Sequence, residues 1–210
     1  MSNSQKISIG LIVLSFLIGA YFYNSMPATI ASHWGLTGQA NGYVSKFWGL
    51  FVMPLISAAL YGLFILLPKI DPLKANYAEF KKYYDNFIAV IIGFLFYIHA
   101  LTVIWNLGTE FNMTQAITPA FAFLFYYIGV ILEHTKPNWF LGIRTPWTLS
   151  SPKVWQSTHK RAAQIFKLVG LLILLSFFLG AWSFAAAIAL LLIASLYLVI
   201  YSYLEFKKLK

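Results

Sequence analysis

The chain has 210 residues, of which 60% are hydrophobic and only 10% are charged, and its mean hydropathy is +0.73. A soluble domain of this length cannot bury so much apolar surface, so the composition excludes an ordinary water-soluble protein. The formal net charge of +9 often points to nucleic acid, but beside this composition the anionic inner leaflet of a membrane explains it better. The absence of cysteine excludes thiol chemistry.

Six apolar stretches follow one another along the chain, separated by short polar pieces. Each stretch is long enough for a helix to cross roughly 30 Å of hydrocarbon, and unbroken runs of this length favour helices over barrel strands. The sequence therefore predicts an all-α polytopic membrane protein in which residues 1–210 form a single integral membrane domain. Its six transmembrane helices are predicted at about 7–23, 47–67, 87–107, 117–133, 165–181 and 184–204.

The Lys and Arg residues fall in alternate polar pieces, with the exception of Lys46. Lys6 precedes the first stretch, and the carboxy-terminal tail holds Lys207, Lys208 and Lys210. Because basic loops stay in the cytoplasm, this pattern predicts a multi-pass protein of the cell membrane with both termini cytoplasmic. It places residues 24–46 outside the cell and residues 134–164 inside.

Three dipeptides predict helix starts, because each puts a capping side chain before a proline at the first helical position. They are Asp71-Pro72, Thr118-Pro119 and Ser151-Pro152. After the first and the third, apolar residues recur on one helical face and lysines on the other. These two segments are predicted to form interfacial amphipathic helices on the cytoplasmic side.

The outer segment, residues 26–46, combines glycines with aromatic residues and a histidine. Its glycines and the Asn41-Gly42 pair predict turns. Two interpretations remain open: a connector that rests on the membrane surface, or a recognition surface for a ligand that arrives from outside. The candidate recognition residues are Pro27, His33, Trp34, Gly35, Gly42, Tyr43 and Lys46.

The inner segment between the fourth and fifth stretches is too long for a mere connector. Gly142 and Pro146 predict a fixed turn, and the nearby Arg144 and Trp147 predict a cation–π contact or a guanidinium that binds a lipid phosphate or an acidic partner. The alternative is an interfacial loop anchored by Trp and Arg. The candidate residues are Asn138, Gly142, Arg144, Thr145, Pro146, Trp147, Trp155, Thr158 and His159.

An enzyme is not the function that the sequence predicts. No pair of histidines has the spacing of metal ligands on a helix, and no nucleophile elbow or phosphate loop is present, so we expect no catalytic residue, no metal and no cofactor. Glu133, His134 and His159 are the one set that could converge at the inner surface as a metal or acid–base site.

A small transporter or proton-coupled exporter is the alternative function. His99 lies within the third stretch, and an ionisable group inside the membrane is by default a functional candidate. A structural histidine, hydrogen-bonded to Ser15 or Ser57 of neighbouring spans, is the interpretation that we favour, because no carboxylate lies near its depth.

The segment from Gly142 to Leu149, followed by Val154-Trp155 and Thr158-His159, resembles the signature of the SdpI family of bacterial toxin-immunity and signal-transducing membrane proteins. The outer segment, from Met26-Pro27 through His33-Trp34 to Gly42-Tyr43 and Lys46, is similar to the first loop of that family. One position departs from the pattern, since Ala31 stands where the family often has a second proline.

This resemblance implies a membrane immunity protein that protects against a secreted antimicrobial peptide toxin. It further implies that the protein senses the toxin and recruits a cytoplasmic transcriptional repressor. The expected partners are therefore membrane lipids, a peptide toxin outside and a repressor inside, without direct binding of nucleic acid.

Overall fold

Long helices make up most of the computed structural model, which describes residues 1–209; Lys210, one of the predicted tail cations, lies outside the described residues. In chain order the elements are α1 (Asn3–Phe22), β1 (Thr29–Trp34), β2 (Ala40–Ser45), α2 (Lys46–Ile70), α3 (Tyr77–Asn106), α4 (Met113–His134), α5 (Pro146–Ser150), α6 (Pro152–Ser176) and α7 (Ser183–Lys207). The predicted all-α class is confirmed for the bulk of the chain, and the β1–β2 hairpin is an addition that the sequence analysis missed.

Five segments within residues 1–209 are helical, long and apolar enough to cross a membrane: Asn3–Ser25, Lys46–Ile70, Lys74–Asn106, Met113–His134 and Pro152–Lys207. The last segment has 56 residues and holds both α6 and α7, which a short 3-10 turn joins at Gly180. The two helices run antiparallel. The Ser176 hydroxyl donates to the Ser183 carbonyl oxygen (3.2 Å) at one end, and Arg161 lies over the Tyr201 ring (5.5 Å) at the other. The chain is thus a multi-pass membrane protein.

One of the three predicted helix starts is confirmed. Ser151 accepts a hydrogen bond from the Val154 amide (3.4 Å), and Pro152 is the first residue of α6. Proline suits the first position of a helix because an N–H there would have no acceptor within the helix, so its absence costs nothing.

The other two predicted helix starts are wrong. α4 begins earlier than Thr118, because the side chain of Asn112 accepts from the Gln115 amide (3.0 Å) and caps the helix, so that Pro119 lies in the interior of α4. Asp71 is the residue that ends α2, and α3 begins only at Tyr77, after a 3-10 turn at Lys74–Asn76. The carboxylate of Asp71 serves a loop contact instead of a helix start, as described below.

The helices form two groups, α1–α3 and α4, α6 and α7, which α3 and α4 hold together. The closest approach is between α4 and α6, where two glycines leave room for the neighbouring backbone. A Cβ at Gly129 would lie 2.7 Å from the Lys167 amide nitrogen, and one at Gly170 would lie 2.7 Å from that of Tyr126. Small residues at helix contacts of this kind are typical of membrane proteins.

A proline in α2 is matched by a tyrosine in α3. Pro68 has no N–H, so the carbonyl oxygen of Phe64, one turn earlier, receives no helical hydrogen bond from it. The Tyr84 hydroxyl donates to that oxygen (2.8 Å). The interruption in α2 therefore becomes a tie between α2 and α3.

The hairpin and the segment 135–151, here called the polar loop, lie at opposite ends of the bundle. Asn112, which precedes α4, donates to the Thr37 carbonyl oxygen in the hairpin (3.0 Å). At the other end, where α2 and α4 finish, the Trp139 amide of the polar loop donates to Asp71 (2.9 Å). Each end therefore gathers loops that are distant in sequence.

Candidate functional site

The predicted outer segment forms an antiparallel hairpin in which Thr29 lies opposite Ser45 and Ala31 opposite Tyr43. The predicted turn at Asn41-Gly42 is wrong, since both residues lie within β2. The turn instead spans Gly35–Gly38, where the Gly38 amide donates to the Gly35 carbonyl oxygen (2.9 Å) and Gly38 has a φ of +80°. Only glycine adopts that backbone conformation at little cost.

A side chain from α3 closes one edge of the hairpin. The Asn106 side-chain oxygen accepts from the Ala31 amide (2.8 Å), and its side-chain nitrogen donates to the Ala31 carbonyl oxygen (3.0 Å). The amide group thus makes the two bonds that a neighbouring strand would make. Sequence reasoning missed Asn106, although a polar residue at the end of an apolar span was the signal that could have found it.

The hairpin rests on α2 through a close contact. Ile30 is buried and packs against Gly49, where an added Cβ would lie 2.4 Å from the Ile30 Cδ1 atom. On α3, Trp105 meets Trp34 edge to face at 5.8 Å. The hairpin is therefore fixed on two helices.

The predicted recognition residues divide by exposure. Pro27, His33 and Tyr43 are exposed, whereas Trp34, Gly35, Gly42 and Lys46 are half-buried. The three exposed residues are the ones that a ligand could reach directly.

Two of the half-buried recognition residues hold local structure. Gly42 lies directly against His33, since an added Cβ would be 2.9 Å from the His33 Cβ. Lys46 lies over the Tyr23 ring at 4.5 Å.

The exposed His33 is also held in place. Its Nδ1 atom is 2.5 Å from the Asn41 side-chain oxygen and donates to it, because that oxygen only accepts.

At the opposite end, Asn138 organises the polar loop. It is fully buried; its side-chain nitrogen donates to the carbonyl oxygens of Lys136 and Leu141 (both 2.9 Å), and its oxygen accepts from the Phe140 amide (2.9 Å). The Tyr77 hydroxyl shares its one hydrogen between this oxygen (3.3 Å) and the carboxylate of Asp71 (3.2 Å). Both N–H groups and the oxygen of this buried side chain are hydrogen-bonded, so Asn138 fixes the path of the loop.

Asp71 ties the polar loop to the α2–α3 connection, and the sequence analysis did not single it out. Its carboxylate is buried and accepts from the amides of Leu73 (2.7 Å) and Trp139 (2.9 Å) and from the Tyr77 hydroxyl (3.2 Å). Three donors compensate much of the cost of burying the carboxylate.

The predicted contact between Arg144 and Trp147 is replaced by another. The Arg144 guanidinium donates to the Trp139 carbonyl oxygen. The Trp147 ring instead lies 5.0 Å from the Tyr203 ring of α7. The backbone of Trp139 is thus held on its amide side by Asp71 and on its carbonyl side by Arg144.

Gly142, one of the two residues on which the predicted turn depended, lies directly against His159. Gly142 has a φ of +118°, and an added Cβ would lie 2.4 Å from the His159 Nε2 atom. The Ile143 amide donates to His159 Nε2 (3.0 Å), so this nitrogen carries no proton, and Nδ1 donates to the Trp155 carbonyl oxygen (2.8 Å). His159 is therefore held as the neutral ring, because a second ring proton would remove the acceptor for Ile143.

The remaining polar-loop residues support this turn. Thr145 caps α5, in which Pro146 is the first residue, and forms a reciprocal capping box with Thr148. The Thr145 hydroxyl lies 3.0 Å from that of Ser202 on α7.

Trp155 and Thr158 lie on the buried face of α6. Trp155 stacks on the His159 ring (3.9 Å), and its indole nitrogen donates to the Thr135 carbonyl oxygen (3.1 Å). Thr158 is fully buried, and its hydroxyl has no hydrogen-bond partner among residues 1–209.

Glu133, His134 and His159 do line one cavity, of about 450 Å³. Each is already engaged: Glu133 pairs with Lys167, His134 stacks on Tyr83 at 3.6 Å, and His159 holds the turn described above. Within residues 1–209 no group of three or more His, Asp or Glu side chains is arranged to hold a metal ion.

His99 does not make the predicted hydrogen bonds with the side chains of Ser15 and Ser57. The hydroxyls of Ser15 and Ser57 each donate to a carbonyl oxygen of their own helix (both 2.9 Å). His99 is buried and its ring lies close to the backbone of Ser15, although within residues 1–209 neither ring nitrogen meets the geometric criteria of a hydrogen bond.

Comparison with known proteins links both ends of the molecule to one group of relatives. Residues 134–202 match the SdpI/YfhL protein family, and residues 10–58 match a domain of unknown function, DUF1648. The chain is 29% identical over 204 residues to the protein named Immunity protein SdpI from Bacillus subtilis (strain 168), covering 97% of this chain and 96% of that protein. The resemblance to the SdpI family is confirmed. No solved structure matches the chain.

The two matched regions coincide with the two ends described above. The hairpin lies within residues 10–58, and the polar loop with α6 and most of α7 lies within residues 134–202. Asn106 and Asp71, which hold these two ends, lie in the part of the chain between the two matches. The SdpI-like region therefore depends on residues outside it for its shape.

Proposed function

We propose that this chain is a membrane immunity protein, not an enzyme, that protects its cell from a secreted peptide toxin. The observation that carries the proposal is the similarity to Immunity protein SdpI, which extends over 97% of the chain and includes both ends of the bundle. A hairpin fixed on two helices, with His33 and Tyr43 exposed, suits a surface that meets a peptide.

The proposed topology is a single domain of six crossings, formed by α1, α2, α3, α4, α6 and α7. Apart from Lys46, the basic residues of the polar pieces then lie on the cytoplasmic side together with both termini, and the hairpin faces outward. The two predicted amphipathic segments are continuous with the spans, as the first turns of α3 and of α6, and these turns meet the inner leaflet in this arrangement.

The proposed roles of the two ends follow from this topology. The hairpin, with the recognition residues Pro27, His33, Trp34, Gly35, Gly42, Tyr43 and Lys46, faces the toxin. The polar loop, organised by Asn138 and His159 and carrying the exposed Arg144, forms a cytoplasmic docking surface. Sensing of the toxin and recruitment of a repressor would act through this second surface.

Survival of a toxin-sensitive strain tests the function. The chain is expressed in Bacillus subtilis without its own SdpI, and the cells are exposed to the peptide that SdpI neutralises. We expect restored survival, with a chain truncated before α6 at equal membrane abundance as the inactive control. Unchanged killing despite correct insertion of the full chain would contradict the proposal.

A transporter is the second candidate, and the observation that favours it is the ionisable ring of His99, which is buried within α3. If the immunity function is independent of this ring, His99→Leu should leave protection within about twofold of the unsubstituted chain, because a leucine fills the same apolar interface. The measurement is survival at matched abundance, combined with proton flux in proteoliposomes. Loss of protection together with loss of flux would favour the transporter.

A further inference from the structure

The hairpin has two edges, and within residues 1–209 hydrogen bonds from another element close only the β1 edge. Ala31 directs both its N–H and its C=O to Asn106, so these groups point away from β2. In an antiparallel ladder, directly opposite residues either both bond to each other or both point outward. Tyr43 is opposite Ala31, so its N–H and C=O point to the outer edge of β2.

A second contact shows independently that the amide of Ser45 also points to the outer edge of β2. The Lys46 amide donates to the Ala28 carbonyl oxygen (3.0 Å), so Lys46 faces the β1 side. Because successive residues of a strand direct their N–H groups to alternate sides, the Ser45 amide faces the outer edge. Ser45 precedes α2, so its carbonyl oxygen belongs to the first turn of that helix.

We propose that the outer edge of β2 binds an extended peptide segment as a third strand, through the N–H and C=O of Tyr43 and the N–H of Ser45. Unpaired backbone donors and acceptors spaced two residues apart are complementary to another extended backbone. The inference rests on the proposed function only for the identity of the peptide, which would be the toxin.

The residues around this edge suit the binding of a peptide strand. The side chains of Tyr43, Phe47 and Trp48 are 61%, 47% and 56% exposed, and the Phe47 and Trp48 rings meet edge to face at 5.3 Å. Phe47 and Trp48 follow Ser45 within three residues, in the first turn of α2, so exposed aromatic surface adjoins the end of this edge. The irregular register between Ala31 and Trp34 ends regular pairing on the other side of Tyr43. The guest strand is therefore confined to about three or four residues.

Ser45 allows a substitution that removes only the edge. Its φ of −58° suits proline, its side chain makes no capping hydrogen bond, and the preceding Val44 is extended, as a residue before proline prefers. Ser45→Pro deletes the outward N–H and places ring atoms on the edge. Ser45→Ala removes the hydroxyl and keeps the N–H, so it is the matched control. Replacing Tyr43 by its α-hydroxy acid analogue deletes one outward N–H with no change of side chain, and it serves if the proline variant does not fold.

The test uses displayed linear peptides, selected against the full chain in lipid nanodiscs. We expect selected peptides to bind Ser45→Pro at least about tenfold more weakly than the unsubstituted chain, and to bind Ser45→Ala within about threefold. Equal binding to the proline variant, or failure to select any linear peptide, would overturn the inference.

Survival of toxin-exposed cells separates this result from the proposed function. In one outcome, the unsubstituted chain protects the cells while selected peptides bind Ser45→Pro as tightly as the unsubstituted chain. That outcome overturns only the binding mode. Peptides that need the edge, in a chain that gives no protection, support the binding mode and overturn only the immunity function.

Discussion

Single polar side chains determine the shape of both ends of the bundle. Asn106 lies at the end of α3 and binds the backbone of Ala31, 75 residues earlier, while Asp71 binds the backbone of Trp139, 68 residues later. The sequence could identify the two candidate segments by their composition. It could not predict these two residues as their supports, because nothing in the local sequence of either segment specifies so distant a partner.

The contact of Asn106 with the hairpin can be tested by removing its polar atoms. Asn106→Leu leaves the Ala31 backbone without its two bonds, so we expect a loss of about 1–3 kcal/mol in the free energy of unfolding. Faster hydrogen exchange of the Ala31 amide should accompany it. Asn24→Leu, at an exposed position, is the control and should change neither measurement. An unchanged exchange rate in Asn106→Leu would contradict the role given to this side chain.

Arg144 is expected to matter for its bond and not only for its charge. Arg144→Ala frees the Trp139 carbonyl, so we expect faster proteolysis of the polar loop and a loss of about 1 kcal/mol in stability. Lys153→Ala removes the same charge from an exposed position in the first turn of α6. It should have a smaller effect on proteolysis and on stability. Equal effects of the two substitutions would mean that general basic charge is all that counts.

At the scale of elements, the long helices were predictable and the hairpin was not. Runs of apolar residues indicate the helices, although each helix extends beyond its predicted span by at least a few residues at one end, since capping and loop contacts lie outside the apolar run. Apolar and polar residues do not alternate along either strand, although burial alternates along β2. In β1 the adjacent Ile30 and Ala31 are both buried, one against α2 and one against Asn106. A hairpin packed on two helices hides the period of two by which strands are recognised.

The contact of α4 with α6 depends on glycine at the crossing. Gly129→Ala would place a methyl group 2.7 Å from the Lys167 amide nitrogen and 2.8 Å from the Ala163 carbonyl oxygen, neither of which can turn aside. We expect a loss of about 1–3 kcal/mol, measured as a lower unfolding midpoint in detergent. Gly62→Ala in α2 meets nothing within 4 Å and should be neutral or slightly stabilising. Equal midpoints for both variants would contradict the close crossing.

At the scale of the whole molecule, α3 connects the two ends. It carries Asn106 against the hairpin at one end and Tyr77 against Asp71 and Asn138 at the other. A toxin signal that passes from the hairpin to the polar loop would therefore have one continuous helix between them. The charge pattern predicts which end is outside, whereas the fold determines only that the two ends are opposite.

The most direct test of this account is the labelling of single cysteines in intact cells. The native chain has no cysteine, so no background residue has to be removed. Leu36→Cys, in the exposed turn of the hairpin, should react with a membrane-impermeant maleimide, whereas Ser150→Cys, exposed in the polar loop, should react only after the cells are opened. Labelling of position 150 in intact cells, with position 36 protected, would contradict the proposed orientation and with it the toxin-facing role of the hairpin.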